Sequence, residues 1–114
     1  MKKVIFHIDE ISKWEMLLKN VQNMLAYYKQ EQIEYDIEVL ANSKAVEAYV
    51  KDKSEYNEVF KKLAKDQVNL VACNNALSGL GIKKEEIFEY ITIVAAGVVE
   101  LVDKQEEAYA YIKP

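Results

Sequence analysis

Cys73, the only cysteine of the chain, is the residue whose type and position best fit chemistry. It ends the mostly apolar run 68–72, and two asparagines, Asn74 and Asn75, follow it directly. An apolar strand followed by helix-capping residues predicts a strand-to-helix turn, where the N–H groups of residues 74–76 would stabilise a thiolate. Free cysteine is also among the residue types most often buried as a small hydrophobe. The residues alone therefore leave a reactive and a structural Cys73 open.

Other side chains could line a pocket with the thiol. His7 can carry a proton beside it, although a histidine at the end of a strand also fits a hydrogen-bonded structural role. Asn20 and Asn23 interrupt an apolar-striped helix and can bond a ligand, a loop or water. Gly97 permits a tight turn or close packing, and the N–H groups after it can bind an anion. The candidate pocket residues are His7, Asn20, Asn42, Asn74, Asn75 and Gly97.

Metal and nucleotide chemistry find little support in the motifs. One histidine and one cysteine give no closely spaced ligand set of the kind that zinc sites show. The glycines Gly79 and Gly81 lack the remaining spacing of a phosphate-binding fingerprint and indicate the end of a helix. We therefore expect no metal and no cofactor.

Composition predicts one soluble domain, residues 1–114. The chain has 114 residues, 51% of them hydrophobic, and a net charge of −4 from 19 acidic and 15 basic side chains. All the basic side chains are lysines, so the guanidinium groups favoured for phosphate and base recognition are missing and nucleic acid is not an expected partner. No apolar run approaches the roughly 20 residues that cross a bilayer, so we expect no membrane association. A single unpaired cysteine and the early acid Asp9 favour the cytoplasm over secretion.

Periodicity predicts strands that alternate with helices. The stripe from Trp14 to Tyr28 has the three- and four-residue spacing of a helix, and Ser12 with Glu15 predicts a capping box at its start. A shorter helical segment begins near Ser43, and helical spacing returns at 56–64 and 98–105. The predicted strands are 4–8, 35–41, 68–72, 91–95 and 108–112.

This alternation predicts a three-layer α/β/α domain with a mostly parallel five-stranded sheet. The apolar strands 68–72 and 91–95 are expected to be buried on both faces. Because the carboxyl ends of parallel strands share one edge, residues that follow the strands converge there, in an order that the sequence does not determine. These residues are His7, Asp9, Asn42, Ser43, Cys73, Asn74, Asn75, Ala96 and Gly97.

Three segments resemble the DsrE/DsrF-like family, whose fold is the YchN-like fold. They are KVIFH at 3–7, VACNNAL at 71–77 and VAAGVVELVDKQ at 94–105, and the similarity continues into the last strand. The resemblance implies a parallel five-stranded protomer that assembles as a homotrimer or as a hexamer of two trimers. It also implies sulfur relay, in which Cys73 carries a persulfide between a donor and an acceptor protein.

Two hypotheses for function follow. In the first, the protein is a sulfur carrier or sulfurtransferase-like component that acts through Cys73. In the second, it is a non-catalytic homo-oligomeric module that binds a small ligand or serves assembly, with a structural cysteine. Tyr109 and Tyr111 share one face of the last predicted strand, where they can bury against another subunit.

Overall fold

The computed structural model describes residues 1–114 and contains one five-stranded sheet. All neighbouring strands are parallel, which confirms the predicted architecture. The strands are β1 (Lys2–Ile8), β2 (Tyr35–Ala41), β3 (Asn69–Cys73), β4 (Thr92–Val94) and β5 (Ala110–Ile112), in the order β4-β3-β2-β1-β5. The two longest strands therefore lie together, with β2 at the centre of the sheet.

Four α-helices and three short 3₁₀ segments connect the strands. The helices are α1 (Trp14–Gln30), α2 (Asn57–Lys65), α3 (Asn74–Gly79) and α4 (Gly97–Glu106). The 3₁₀ segments are Ile11–Lys13, Ser43–Tyr49 and Lys84–Glu86. None of the helices is long and apolar enough to span a membrane.

The two faces of the sheet carry very different cores. On one face, α1, α2, α3 and the segment Ser43–Tyr49 enclose a cluster of 25 buried residues centred on Trp14, whose indole Nε1 donates to the Ala45 carbonyl at 2.9 Å. The other face has a cluster of five, to which α4 contributes Leu101. Because side chains alternate along a strand, Val4 and Phe6 enter the large core while Ile5 enters the small one. Helix α4 thus covers its face of the sheet almost alone.

The apolar stripe of α1 is confirmed, but the predicted capping box is wrong. Ser12 lies in a 3₁₀ turn, and the residue that caps α1 is Lys13, which makes no side-chain capping bond. The backbone takes over this role, since the Lys13 N–H donates to the Glu10 carbonyl at 3.1 Å as the turn runs into the helix. A side-chain cap is therefore not needed to begin α1.

The last two strands are shorter than predicted. β4 is an edge strand with Thr92 exposed, so the expectation that it is buried on both faces is wrong. Ala108 takes a left-handed conformation with φ +71°, and the N–H groups of Ala108 and Tyr109 bond the last turn of α4. These two residues end a helix, which leaves only Ala110–Ile112 to form β5.

Candidate functional site

The carboxyl edge of the sheet brings together four of the residues singled out from the sequence. Ala41 of β2 pairs with Ala72 of β3, so Asn42 and Cys73 follow on neighbouring strands. His7 lies near the end of β1, beside β2, and Gly97 opens α4 just after β4. Strand order determines this meeting, because β1, β2, β3 and β4 are consecutive neighbours in the sheet.

The Cys73 thiol lies beneath the first residue of α4. The Gly97 N–H donates a hydrogen bond to Cys73 Sγ at 3.2 Å, and only 6% of Cys73 is exposed. The residue that caps α3 is Cys73 itself, not Asn74 or Asn75 as the sequence predicted, and its side chain makes no capping bond there. The expected donors at 74–76 are therefore wrong. Cys73 follows the alternation of Val71 toward the α4 face, whereas α3 packs Leu77 into the large core on the other face.

Gly97 allows α4 to approach this edge closely. A Cβ atom built at Gly97 would lie 3.3 Å from Cys73 Cβ and 3.4 Å from Asn42 Cβ. The first distance is tighter than about nine in ten real contacts of a Cβ atom, and the second is at the limit of ordinary contact, so a side chain here would require a shift of a few tenths of an ångström. A glycine thus allows the close approach at which the Gly97 N–H bonds the sulfur.

His7 is buried beside this corner with both ring nitrogens hydrogen-bonded. Nδ1 lies 2.6 Å from the hydroxyl of Tyr111, and Nε2 lies 3.0 Å from Asn42 Oδ1. Tyr111 is 41% exposed, while only 8% of His7 is exposed. Sequence reasoning missed this role of Tyr111, because it depends on the pairing of β5 with β1, which no local pattern reveals.

The remaining candidates lie outside this cluster. Asn74 and Asn75 are exposed at the start of α3, on the rim beyond the thiol. Asn20 is exposed on α1, the helix that covers the opposite face of the sheet. The structure therefore brings His7, Asn42 and Gly97 to Cys73, and it separates Asn20 from them.

A second polar group, Glu38, lies under the middle of α4. The residue is 2% exposed, and its Oε2 atom is buried with no hydrogen-bond partner. Lys104 Nζ is 3.9 Å from Oε1, too far for a hydrogen bond, and Glu100 faces the same carboxyl group. Burial, followed by the closeness and negative charge of Glu100, raises the pKa of Glu38 to about 8. A glutamate flanked by Ile37 and Val39 inside a strand was the sequence signal for this group.

Lys104 and Tyr109 complete the polar surroundings of Glu38. Lys104 Nζ lies 4.9 Å from the centroid of the Tyr109 ring, and the Tyr109 hydroxyl donates to Asp36. Burial and the nearby Asp36 raise the pKa of Tyr109. This part of the α4 face is therefore charged, unlike the corner around Cys73.

An open groove lies on the β4 side of α4. Its volume is about 290 Å³, and its lining includes Val94, Ala96 and Val99 together with the acidic Glu100 and Asp103. Val94 is the residue of β4 that pairs with Cys73, and Ala96 directly precedes Gly97. The groove therefore reaches the neighbours of Cys73 and Gly97, while these two residues themselves do not line it.

The sequence profile of the DsrE/DsrF-like family matches residues 3–114. The chain belongs to the DsrE/DsrF-like family. This match covers nearly the whole chain, including every element that builds the corner around Cys73.

Solved structures agree with this assignment. MTH1491 from Methanobacterium thermoautotrophicum, a protein of unknown function, is 33% identical, and the alignment covers 100% of both chains with a TM-score of 0.90. The ychN protein from E. coli is 19% identical over 100% of both chains, with a TM-score of 0.79. BT1422 from Bacteroides thetaiotaomicron, a conserved protein of unknown function, is 11% identical over 99% of this chain and 95% of its own, with a TM-score of 0.76. The last two similarities concern the fold alone, which is the YchN-like fold. No protein with a curated function matches the sequence.

Proposed function

We propose that this DsrE/DsrF-like protein is a sulfur carrier that holds a persulfide on Cys73. The observation that carries the proposal is the hydrogen bond from the Gly97 N–H to Cys73 Sγ at the carboxyl edge of the sheet. An N–H donor at a helix start favours negatively charged sulfur, which is the nucleophilic form. Membership of a family associated with sulfur relay supports the same assignment.

The proposed transfer needs two exchange steps and no added oxidant. The Cys73 thiolate attacks the outer sulfur of a donor persulfide, forming the new S–S bond while the donor leaves as a thiolate. An acceptor thiolate then attacks the outer sulfur on Cys73, and Cys73 leaves as a thiolate. One cysteine is sufficient for this cycle, because each step replaces one S–S bond by another. The partners are a sulfur-donor and a sulfur-acceptor protein, with the cytoplasm as the proposed reducing compartment.

We propose that sulfur reaches the thiol along the groove beside Val94, the residue of β4 that pairs with Cys73. Cys73 itself is only 6% exposed, so the incoming sulfur approaches along the border of α4 and β4. The outer sulfur of a persulfide extends about 2 Å beyond Sγ, which is the length of one S–S bond. We expect the donor and the acceptor to bind on this side of α4.

Intact mass spectrometry tests this proposal. After incubation with glutathione persulfide, the folded protein should gain one sulfur atom, and dithiothreitol should remove it. Cys73→Ser is the matched control and should gain nothing. A protein that gains sulfur only when unfolded in urea would contradict the proposal, because the folded site would then be closed to the donor.

The burial of Cys73 favours a second function, that of a non-catalytic homo-oligomeric module for a small ligand or for assembly. In that case the Gly97–Cys73 bond would serve only to fix α4 on the sheet. Both functions fit a homo-oligomer, which the family resemblance implies as a trimer or a hexamer. The outer side of α4 supports contact with a second copy, because Val98 and Val102 are both more than half exposed.

A further inference from the structure

We infer that Tyr111 and His7 are positioning residues that hold the Asn42 amide as a hydrogen-bond donor toward sulfur on Cys73. The observation is the chain of contacts from the Tyr111 hydroxyl through the His7 ring to Asn42 Oδ1, which ends beside Gly97 and Cys73. The inference rests on the proposed role of Cys73 as the sulfur-bearing group. It assigns these three side chains a part in that role.

The direction of each hydrogen bond follows from what the groups can donate. Asn42 Oδ1 is a carbonyl oxygen and only accepts, so Nε2 of His7 carries the hydrogen in that contact. A neutral imidazole carries one N–H, so Nδ1 accepts from the Tyr111 hydroxyl at 2.6 Å. In this arrangement the Tyr111 hydroxyl donates to Nδ1 and so supports the tautomer whose Nε2–H donates to the Asn42 carbonyl.

Once Oδ1 is held by His7, the NH₂ side of Asn42 must face the other way. Nδ2 lies 3.6 Å from the point that a Cβ of residue 97 would occupy, and Cys73 Cβ lies 3.3 Å from the same point. The amide therefore faces the corner that Gly97 leaves open beside the cysteine. Nδ2 makes no hydrogen bond of its own in the structure, so its hydrogens are free for a sulfur placed there.

A second donor at this corner would favour negatively charged sulfur, either the thiolate or the persulfide anion. The Gly97 N–H already donates to Sγ, and the Asn42 amide would be the second donor once sulfur lies in the corner. A flipped amide would instead present its carbonyl oxygen, which repels negative charge. Tyr111 and His7 thus act through the orientation of Asn42 and do not need to touch the sulfur.

Few charged groups lie near the hydrogen bonds that join Tyr111, His7 and Asn42. Asp9, after β1, pairs with Lys113, after β5, at 3.0 Å, and Glu100 lies one turn into α4. The substitutions proposed below leave all three unchanged. A change in the behaviour of the thiol would therefore arise from the hydrogen-bonded chain.

The first test is an NMR measurement of the His7 tautomer in the unaltered protein. The chain has one histidine, so a long-range proton–nitrogen correlation spectrum contains a single imidazole. We expect the hydrogen on Nε2 in wild type and a mixture of tautomers in Tyr111→Phe. A neutral ring protonated at Nδ1 in wild type would overturn the inference, because Asn42 would then be turned the other way.

The second test follows thiolate formation by ultraviolet absorbance as the pH is raised, with the matching Cys73→Ser protein subtracted. Tyr111→Phe should move the midpoint upward by about half a pH unit, because Asn42 can then turn its carbonyl oxygen toward the sulfur. Tyr109→Phe is the control, because it also removes one tyrosine hydroxyl near the last strand. We expect it not to shift the midpoint. A Tyr109→Phe shift as large as that of Tyr111→Phe would overturn the inference.

A double-mutant cycle shows whether Tyr111 acts through Asn42. In an Asn42→Ala background, Tyr111→Phe should have no further effect, because there is no amide left to orient. Additive shifts would indicate a merely structural role for Tyr111 and would contradict the inference. These results are separable from the persulfide experiment: a shift without sulfur uptake refutes the carrier, and sulfur uptake without a shift refutes the positioning chain.

Discussion

The two ends of the face beneath α4 handle buried polar groups in opposite ways. At the start of the helix, the structure gives His7, Asn42 and Cys73 a hydrogen bond each. Under its middle, Glu38 has a buried oxygen with no partner and a lysine at 3.9 Å. A hydrogen-bonded cluster has a more fixed geometry than a carboxyl group with an unpaired oxygen, whose protonation depends on pH. The side chains at the thiol end are therefore held by hydrogen bonds, whereas the centre of this face is sensitive to pH.

The largest expected effect is a pH dependence of stability that comes from Glu38. Its pKa is raised from 4.5 to about 8 in the folded protein. Between these values the folded state holds a proton that the unfolded state has released. Stability is therefore full below about pH 4.5 and falls as the pH rises to about 8, by roughly 1.4 kcal/mol per unit of pKa difference. Urea unfolding across this range measures the slope.

Glu38→Gln tests whether this slope belongs to Glu38. A neutral amide has no proton to lose, so the variant should show a much flatter profile and should exceed wild type in stability at pH 8 and above. Glu106→Gln, at the exposed end of α4, is the control and should leave the slope unchanged. If the stability of Glu38→Gln still fell with rising pH as in wild type, Glu38 would not be the source of the pH dependence.

Part of the fold and of the candidate site could be predicted from the sequence. Alternation and apolar spacing predicted β2 at its observed bounds and the buried stripe of α1. The rule that parallel strands share one carboxyl edge anticipated that His7, Asn42, Cys73 and Gly97 would converge. These features follow from local pattern and from one general rule of parallel sheets.

Features that depend on which elements pair were missed. The choice of α4 over α3 as donor to Cys73 depends on which face of β3 the side chain enters. Tyr111 reaches His7 only because β5 pairs with β1. Glu38 lacks a partner because α4 brings Lys104 no closer than 3.9 Å. None of these distances has a signature in the spacing of residues.

A large effect is also expected from Gly97→Ala at the thiol end. The added methyl group meets Cys73 Cβ at 3.3 Å and Asn42 Cβ at 3.4 Å, so α4 or these side chains must move by a few tenths of an ångström. Overpacking of this kind costs about 1–3 kcal/mol, and the N–H bond to Sγ should weaken with it. Urea unfolding measures the loss of stability, and the rate of Cys73 alkylation reports the change at the sulfur.

Gly79→Ala provides the matched control for this substitution. Gly79 ends α3, and a Cβ there meets nothing within 4 Å. The free energy of unfolding of the Gly79→Ala protein should change by no more than about 0.5 kcal/mol, as for most surface positions. Equal losses in the two variants would mean that close approach at Gly97 is not special.

The smallest effect on folding is expected on the outer side of α4. Val98→Lys combined with Val102→Lys should change the stability of the protomer by less than about 1 kcal/mol, because both valines are exposed. The mass measured by light scattering should nevertheless fall from that of a trimer or hexamer to that of a protomer. Met16→Lys, on the exposed side of α1, should leave the assembly intact. A wild-type protein that is monomeric at micromolar concentration would contradict the proposed contact between copies.

The central claim is that Cys73 carries sulfur from a donor to an acceptor. The most direct measurement follows isotopically labelled sulfur from a donor persulfide onto the folded protein and then onto an acceptor thiol, with the Cys73 peptide analysed at each stage. We predict that the label enters the Cys73 peptide first and leaves it when the acceptor is added, and that Cys73→Ser transfers none. Label that never reaches the Cys73 peptide, or that passes equally well through Cys73→Ser, would contradict the account.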